Sequence, residues 1–223
     1  MKIINITNHE KVNINTGAAL GNFDGIHLGH QKLINTMINR SKELGLKSSL
    51  LLFDQHTKVT TDNNQPKIIT TNEQKFKIAE ELGIDIVYVM KFDKDIMKLT
   101  AEEFVKDIIV DKMNSKLIVV GFDYKFGHKA LGNSETLLDL GRKYDIEVNI
   151  IEAIQSDEEI IGSTEIRNLI LEGDVCKAKK FLGRPYSIIG KVIPGKNRGH
   201  TLGFPTANID VDLDHVIPKN GVY

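Results

Sequence analysis

Residues 21–30 read GNFDGIHLGH, which packs Gly21, Gly25, Gly29, Asp24, His27 and His30 into ten positions. His27 and His30 flank Leu28 and Gly29 just where an apolar-periodic run begins. Imidazoles donate to phosphate oxygens whether neutral or charged. The start of a helix adds free N–H groups and the positive end of the dipole. Gly21 and Gly25 let backbone approach a ligand, and Gly29 leaves room for a phosphate between the histidines. Asp24 is placed either near a metal ion that accompanies the phosphates or as a cap of the loop. The competing readings are two surface histidines or a metal pair. A zinc site needs a third ligand, and no histidine or cysteine cluster supplies one nearby. The chemistry indicated is therefore phosphate binding. It does not come from a P-loop, because nothing matches G-x-x-x-x-G-K-[ST].

A second stretch, IGSTEIRNLILEGD at 161–174, places Ser163 and Thr164 at a helix start and Arg167 three residues on. Ser163 is expected to cap that helix. The chemical reading adds phosphate contacts from Ser163, Thr164 and the first amides, with the Arg167 guanidinium on a leaving pyrophosphate.

The elements that must position these groups alternate along the chain. MKIINI, SSLLLF, DIVYVM, KLIVVGFD and EVNIIEAI read as strands. HQKLINTMINRSKELGL, with Leu33, Ile34, Met37, Ile38 and Leu44 at helical spacing, reads as a helix. So do TNEQKFKIAEELG, closed by Gly83, the segment TAEEFVKDIIVDKM, and NSETLLDLGRKY. Thr100 and Glu103 form a capping-box pair that fixes one helix start. Short continuous apolar strands alternating with amphipathic helices predict an α/β fold, a doubly wound parallel sheet covered on both faces. GNFDGIHLGH is expected to follow the first strand, at the carboxyl edge where such sheets bind ligands. Near Gly183 the helical period gives way to glycine- and proline-punctuated, strand-like pieces, which predicts a domain over 1–183 and a small antiparallel β unit over 184–223.

Composition narrows the classes. The chain has 223 residues and a formal net charge of −1, so it lacks the basic field that nucleic acid or an anionic membrane would reward. No apolar run approaches the roughly 20 residues of a spanning helix, and MKIINITNHEK lacks the apolar core of a signal peptide. Its single cysteine, Cys176, excludes an intrachain disulfide framework and reads as a small packing residue of a helix. A cytoplasmic location is expected.

H-x-G-H at this position resembles the nucleotidyltransferase and class I synthetase superfamily, and GSTEIR resembles the S-T-x-x-R motif of adenylyltransferases. GNFDGIHLGH, VGFDYKFGHKALG, GSTEIR, GDVCKAKKFLGRPY and GKNRGHTLGFPTANI stand in the order seen in prokaryotic bifunctional FAD synthetases. Those proteins join an FMN adenylyltransferase domain to a riboflavin kinase domain, and the resemblance covers nearly the whole chain.

It implies a Rossmann-like nucleotidyltransferase that moves AMP from MgATP to FMN and gives FAD and pyrophosphate, followed by the start of a small antiparallel β-barrel. It places Gly21, Phe23, Asp24, Gly25, His27, His30, Asp123, Ser163, Thr164 and Arg167 at ATP, with His27, His30 and Arg167 catalytic. Phe53, His56 and Phe126 are placed at the flavin; Phe126 reads equally as a core aromatic. Asp123 stands where many members carry Asn. Gln55 and Thr57 replace the prolines of the family's F-x-P-H-P loop, so that loop is expected to be more mobile.

GFPTAN resembles the riboflavin kinase signature, with Gly195, Arg198, Gly199, Thr206 and Asn208 as its MgATP-side residues. The family's catalytic glutamate lies beyond this motif, so the kinase module is expected to be incomplete here and its open edge available for self-association. Mg²⁺ is expected with ATP, its ligands unassigned. ATP and FMN are the expected partners, with no nucleic acid and no membrane.

Two rivals belong to other classes. KMNSK at 112–116 resembles the lysine loop of class I aminoacyl-tRNA synthetases, but it precedes a strand in mid-domain and reads more simply as a basic helix end. A non-catalytic flavin or nucleotide sensor is the other.

Overall fold

The computed structural model describes residues 1–6, 12–54, 67–156, 159–195, 203–211 and 214–223. Its central sheet has six parallel strands: β1 (Lys2–Asn5), β2 (Thr16–Leu20), β3 (Lys47–Phe53), β4 (Ile86–Met90), β5 (Ser115–Gly121) and β6 (Glu147–Ile151), in the order β1-β4-β3-β2-β5-β6. The doubly wound α/β fold expected from the alternation is present.

GNFDGIHLGH follows β2 rather than the first strand, which corrects the expectation. β2 is the short stretch TGAAL, poor in the β-branched and aromatic residues that mark strands. Its small residues have a packing reason. A side chain at Gly17 would overlap the Ser41 hydroxyl of α1 (Leu28–Glu43), so the helix lies directly on the central strand. All five residues of β2 are buried.

Two apolar layers sandwich the sheet. On one face α1 contributes Leu33, Ile34 and Met37, and α2 (Asn72–Glu81) contributes Ala79. Leu44, predicted for the same stripe, is exposed just past the end of α1. The other face is covered by α4 (Ser134–Tyr144) and by α3 (Ala101–Glu103), which continues as a π-helix over Phe104–Lys112. The predicted Thr100–Glu103 capping box starts this helix, and the amide of Met113 donates to the carbonyl of Ile108 at its end. KMNSK is the end of this π-helix and the turn into β5, with Asn114 left-handed at φ 49°.

A third cluster joins α5 (Ser163–Glu172) and α6 (Val175–Leu182), which follow the short hairpin of β7 (Gln155–Ser156) and β8 (Glu159–Ile160). Cys176 is exposed on α6, so it is not the packing residue expected. After Gly183 the chain forms a two-stranded antiparallel sheet, β9 (Gly190–Ile193) and β10 (Asn208–Val211). This segment also returns to the first unit: the Tyr186 hydroxyl donates to the carbonyl of Val216, and Val216 is buried in the third cluster.

Candidate active site

β2 leads through α1 to β3 on one side of the sheet, while β5 and β6 continue on the other. The crevice at such a reversal lies beyond the carboxyl ends of the two central strands. A cleft of about 1130 Å³ opens there, lined among others by Gly21, Asp24, His27 and His30 after β2, by Gly121 to Ala130 after β5, and by Gly162, Ser163, Thr164 and Arg167 of α5. Two motifs far apart in sequence therefore meet across one space.

His27 is the N-cap of α1, and its Nδ1 accepts from the His30 amide at 3.4 Å. That contact leaves the proton on Nε2, so the neutral ring offers one donor. The two imidazoles stack at 3.8 Å between centroids with 23° between planes, and the His30 ring lies 5.1 Å from that of Phe23. Burial lowers the His27 pKa to about 4, against the opposing pull of Asp24, with Arg184 adding to the depression. His30 is held well below its ordinary range by burial, then by His27 and Lys75. Both rings are thus neutral at pH 7. The buried His30 Nδ1 has no hydrogen-bond partner among the described residues.

The loop that presents these rings is strained. Phe23 and Ile26 adopt φ of 48° and 37°, a left-handed region that disfavours β-branched isoleucine in particular. Both side chains are fully buried, which holds them there. Gly25 at φ 84° completes the turn. Phe23 and Gly25 therefore shape the loop from behind rather than face the cleft. The Gly25 amide donates to Thr70 Oγ1 at 2.9 Å, and its carbonyl accepts from Arg184.

Asp24 is buried, and its oxygens are taken by protein donors. Oδ1 accepts from the amides of Ile69 and Thr70 at 2.9 and 3.1 Å, and Oδ2 accepts from Arg167 Nη2 at 2.7 Å. Ser163 differs from expectation. Gly162 is the N-cap of α5 and makes no side-chain bond, while Ser163 Oγ donates to the Asp24 carbonyl at 2.8 Å. The hydroxyl ties the two motifs together instead of capping its own helix.

Part of the cleft lining is aromatic. Phe53 meets Phe92 edge-on at 5.0 Å, and Phe126 contacts Tyr124 at 5.6 Å and Phe104 at 5.8 Å. Phe126 is nearly buried and also lines the cleft. Asp123 is exposed at the cleft edge after β5. His56, with Gln55 and Thr57, lies outside the described residues, as do Arg198 and Gly199. Gly195 and Asn208 come together: the Asn208 amide covers Gly195 so closely that a methyl there would overlap it. Thr206 is exposed.

Three supports escaped the sequence reading. Arg184 donates to the carbonyls of Gly25, Ile26 and Leu182, which fastens the end of α6 to the loop. Lys75, buried on α2, donates to the Asn22 carbonyl at 3.2 Å. Phe92, after β4, faces Phe53. An arginine, a lysine and a phenylalanine among ordinary helix and loop residues carry no local pattern. Only the GRPY segment around Arg184 had been singled out.

The FAD synthetase family model matches residues 9–165 and the riboflavin kinase model residues 182–223. The chain belongs to the FAD synthetase family. The bifunctional riboflavin kinase/FMN adenylyltransferase of Buchnera aphidicola subsp. Schizaphis graminum is 41% identical over all of this chain and 72% of that protein. The Listeria monocytogenes protein of the same name is 40% identical over 98% of this chain and 69% of its own length. A crystal structure described as a macrolide-efflux protein from Streptococcus pneumoniae superposes with a TM-score of 0.89 at 32% identity, over all of this chain and 73% of that one. Among the described residues, no helix is long and apolar enough to cross a membrane.

Proposed function

We infer that this chain transfers AMP from MgATP to FMN, forming FAD and releasing pyrophosphate. The observation that carries the reading is one cleft lined both by His27, His30, Ser163, Thr164 and Arg167 and by the aromatic side chains Phe53, Phe92, Tyr124 and Phe126. Phosphates fit the first group of side chains and a flat heteroaromatic ring the second.

In the reaction an FMN phosphate oxygen forms a bond to the α-phosphorus of ATP. The bond from that phosphorus to the bridging oxygen breaks, and the electron pair leaves on pyrophosphate. Such a step needs positioning and electrostatic stabilisation more than covalent chemistry. Neutral imidazole N–H groups from His27 and His30, the first amides of α5, the Thr164 hydroxyl and the outer N–H groups of Arg167 are the donors that would meet the growing charge. Gly21 and Asp123 border the nucleotide side, and Phe53 and Phe126 the flavin side. Asp24 serves this site from behind, as argued below.

Mg²⁺ belongs to this reading as part of the substrate. Among the described residues no group of three histidine, cysteine or carboxylate side chains could hold a metal ion. The phosphates and water would supply its ligands, which suits an ion that keeps several waters. The reading places the enzyme in the cytoplasm, where the exposed Cys176 thiol stays reduced.

The test is incubation with ATP, Mg²⁺ and FMN, with chromatography of the flavins and assay of pyrophosphate. Equal amounts of FAD and pyrophosphate are expected. His27→Ala or His30→Ala should lower the rate by about 10²-fold, the scale of one lost transition-state donor. Binding of both ligands without FAD formation would replace this reading with that of a sensor.

A further inference from the structure

We propose that Asp24 is a positioning residue that holds the Arg167 guanidinium in its working orientation and locks the histidine loop to α5, and that it ligates neither ATP nor Mg²⁺. The inference rests on the adenylyltransferase reading for what Arg167 does, and on the geometry alone for what Asp24 does.

Asp24 is 1% exposed. Its Oδ1 takes the amides of Ile69 and Thr70, with the Thr70 hydroxyl at 3.4 Å as a third, weaker donor. Its Oδ2 takes Arg167 Nη2 at 2.7 Å, an ion pair in which Arg167 itself is 13% exposed. Although Asp24 borders the cleft, both of its oxygens are already engaged by protein donors.

Three chain segments converge on this one residue: the loop after β2, the segment 67–70 before α2, and the first turns of α5. The main chain joins in, because the Asp24 carbonyl accepts from Ser163 Oγ and the Gly25 amide donates to Thr70 Oγ1. Arg167 is fixed at a second point, its Nε donating to the Lys67 carbonyl at 2.8 Å. With Nε and one Nη2 hydrogen held, the planar fork cannot rotate, and its remaining N–H groups are the ones left for the cleft that Arg167 lines. Lysine would not give this arrangement, since one flexible ammonium cannot be clamped on two sides while presenting a third.

A residue that acts only through another leaves a signature in a double-mutant cycle. Arg167→Ala is expected to lower the rate of FAD formation by about 10²-fold, Asp24→Asn by about 10-fold, and the double variant by no more than Arg167→Ala alone. The same cycle is read without turnover by calorimetric binding of pyrophosphate. There Asp24→Asn should weaken affinity in the wild type and leave it unchanged in the Arg167→Ala background. The Mg²⁺ concentration needed for half-maximal rate should be the same in Asp24→Asn as in wild type. Folding is checked by circular dichroism. If Asp24→Asn does not fold, Asp24→Glu, which keeps the charge but moves the oxygens by one methylene, takes its place in both cycles.

Multiplicative losses in the pyrophosphate cycle, or a raised Mg²⁺ requirement, would overturn the proposal. The two readings fail separately. A wild-type chain that binds pyrophosphate with full coupling but makes no FAD defeats only the proposed reaction. FAD formation with independent losses at the two positions defeats only the role of Asp24.

Discussion

A buried neutral histidine makes folding sensitive to acid, and His27 permits the size of that effect to be worked out. Its pKa is about 4 in the folded protein, against an ordinary value near 6.5 in an unfolded chain. Between these values the unfolded state binds more protons, so stability rises with pH and falls on acidification. The contribution is fully present above pH 6.5 and is lost progressively down to about pH 4. At about pH 5.5 roughly ten-elevenths of the unfolded imidazole is protonated, while the folded ring is almost entirely neutral; the ratio corresponds to about 1.4 kcal/mol.

His27→Asn tests this cleanly. Asparagine is a preferred N-cap whose side-chain oxygen can take over the bond that His27 Nδ1 accepts from His30, but it does not titrate. Urea unfolding at about pH 8 and about pH 5.5 gives the loss of stability in each protein. The wild type should lose about 1.4 kcal/mol more than His27→Asn. His30 shifts in the same direction, chiefly by burial, which the substitution leaves in place, so the larger part of its contribution is common to both proteins. Equal losses in the two proteins would refute the assignment of a buried, neutral His27.

Nucleotide binding should reverse part of this depression, because phosphate charge beside the rings favours their protonated forms. Calorimetry at about pH 6 in buffers of differing ionisation enthalpy should therefore show proton uptake on ATP binding, and less of it in His27→Asn; equal uptake in both would count against phosphate contact by His27. Gly127→Ala should lose about 3 kcal/mol in thermal or urea unfolding, since φ 72° with ψ −175° is a glycine-only conformation and the new Cβ would stand 2.7 Å from the Ala101 amide nitrogen. Near-wild-type stability would mean that the loop after β5 can take another path.

What the sequence disclosed follows from how local each signal is. The helix starts at Thr100 and Ser134 and the apolar strands β3, β4 and β5 were readable because their causes lie within a few residues. β2 was not, because Gly17 is small for a reason found 24 positions on, where Ser41 crosses the strand. Ser163 shows the same limit. A serine at a helix start usually serves its own amides, yet here the hydroxyl reaches a carbonyl 139 positions away. The role of Asp24 also lies outside any local pattern, since three of its partners, Ile69, Thr70 and Arg167, come from segments that are remote in the chain. Cys176 was misplaced because helical spacing alone does not say which side of α6 is covered, and Ala178, Phe181 and Leu182 take the buried side.

The electrostatics of the phosphate end bear on how such a site can favour reaction over mere binding. Three of its basic groups are muted in the free protein: His27 and His30 are neutral, and Arg167 is paired with Asp24. A cluster of free cations would hold ATP and pyrophosphate strongly before and after the chemistry, and uniform binding of that kind does not raise the turnover rate. Neutral N–H donors in a low-dielectric pocket gain most when the charge in front of them grows. The stacked imidazoles, fixed by the cap of α1 and by the Phe23 ring, need little reorganisation at that moment. In the proposed reaction burial would serve the chemistry twice: it removes permanent charge from the resting histidines, and it amplifies each hydrogen bond as the charge moves toward pyrophosphate.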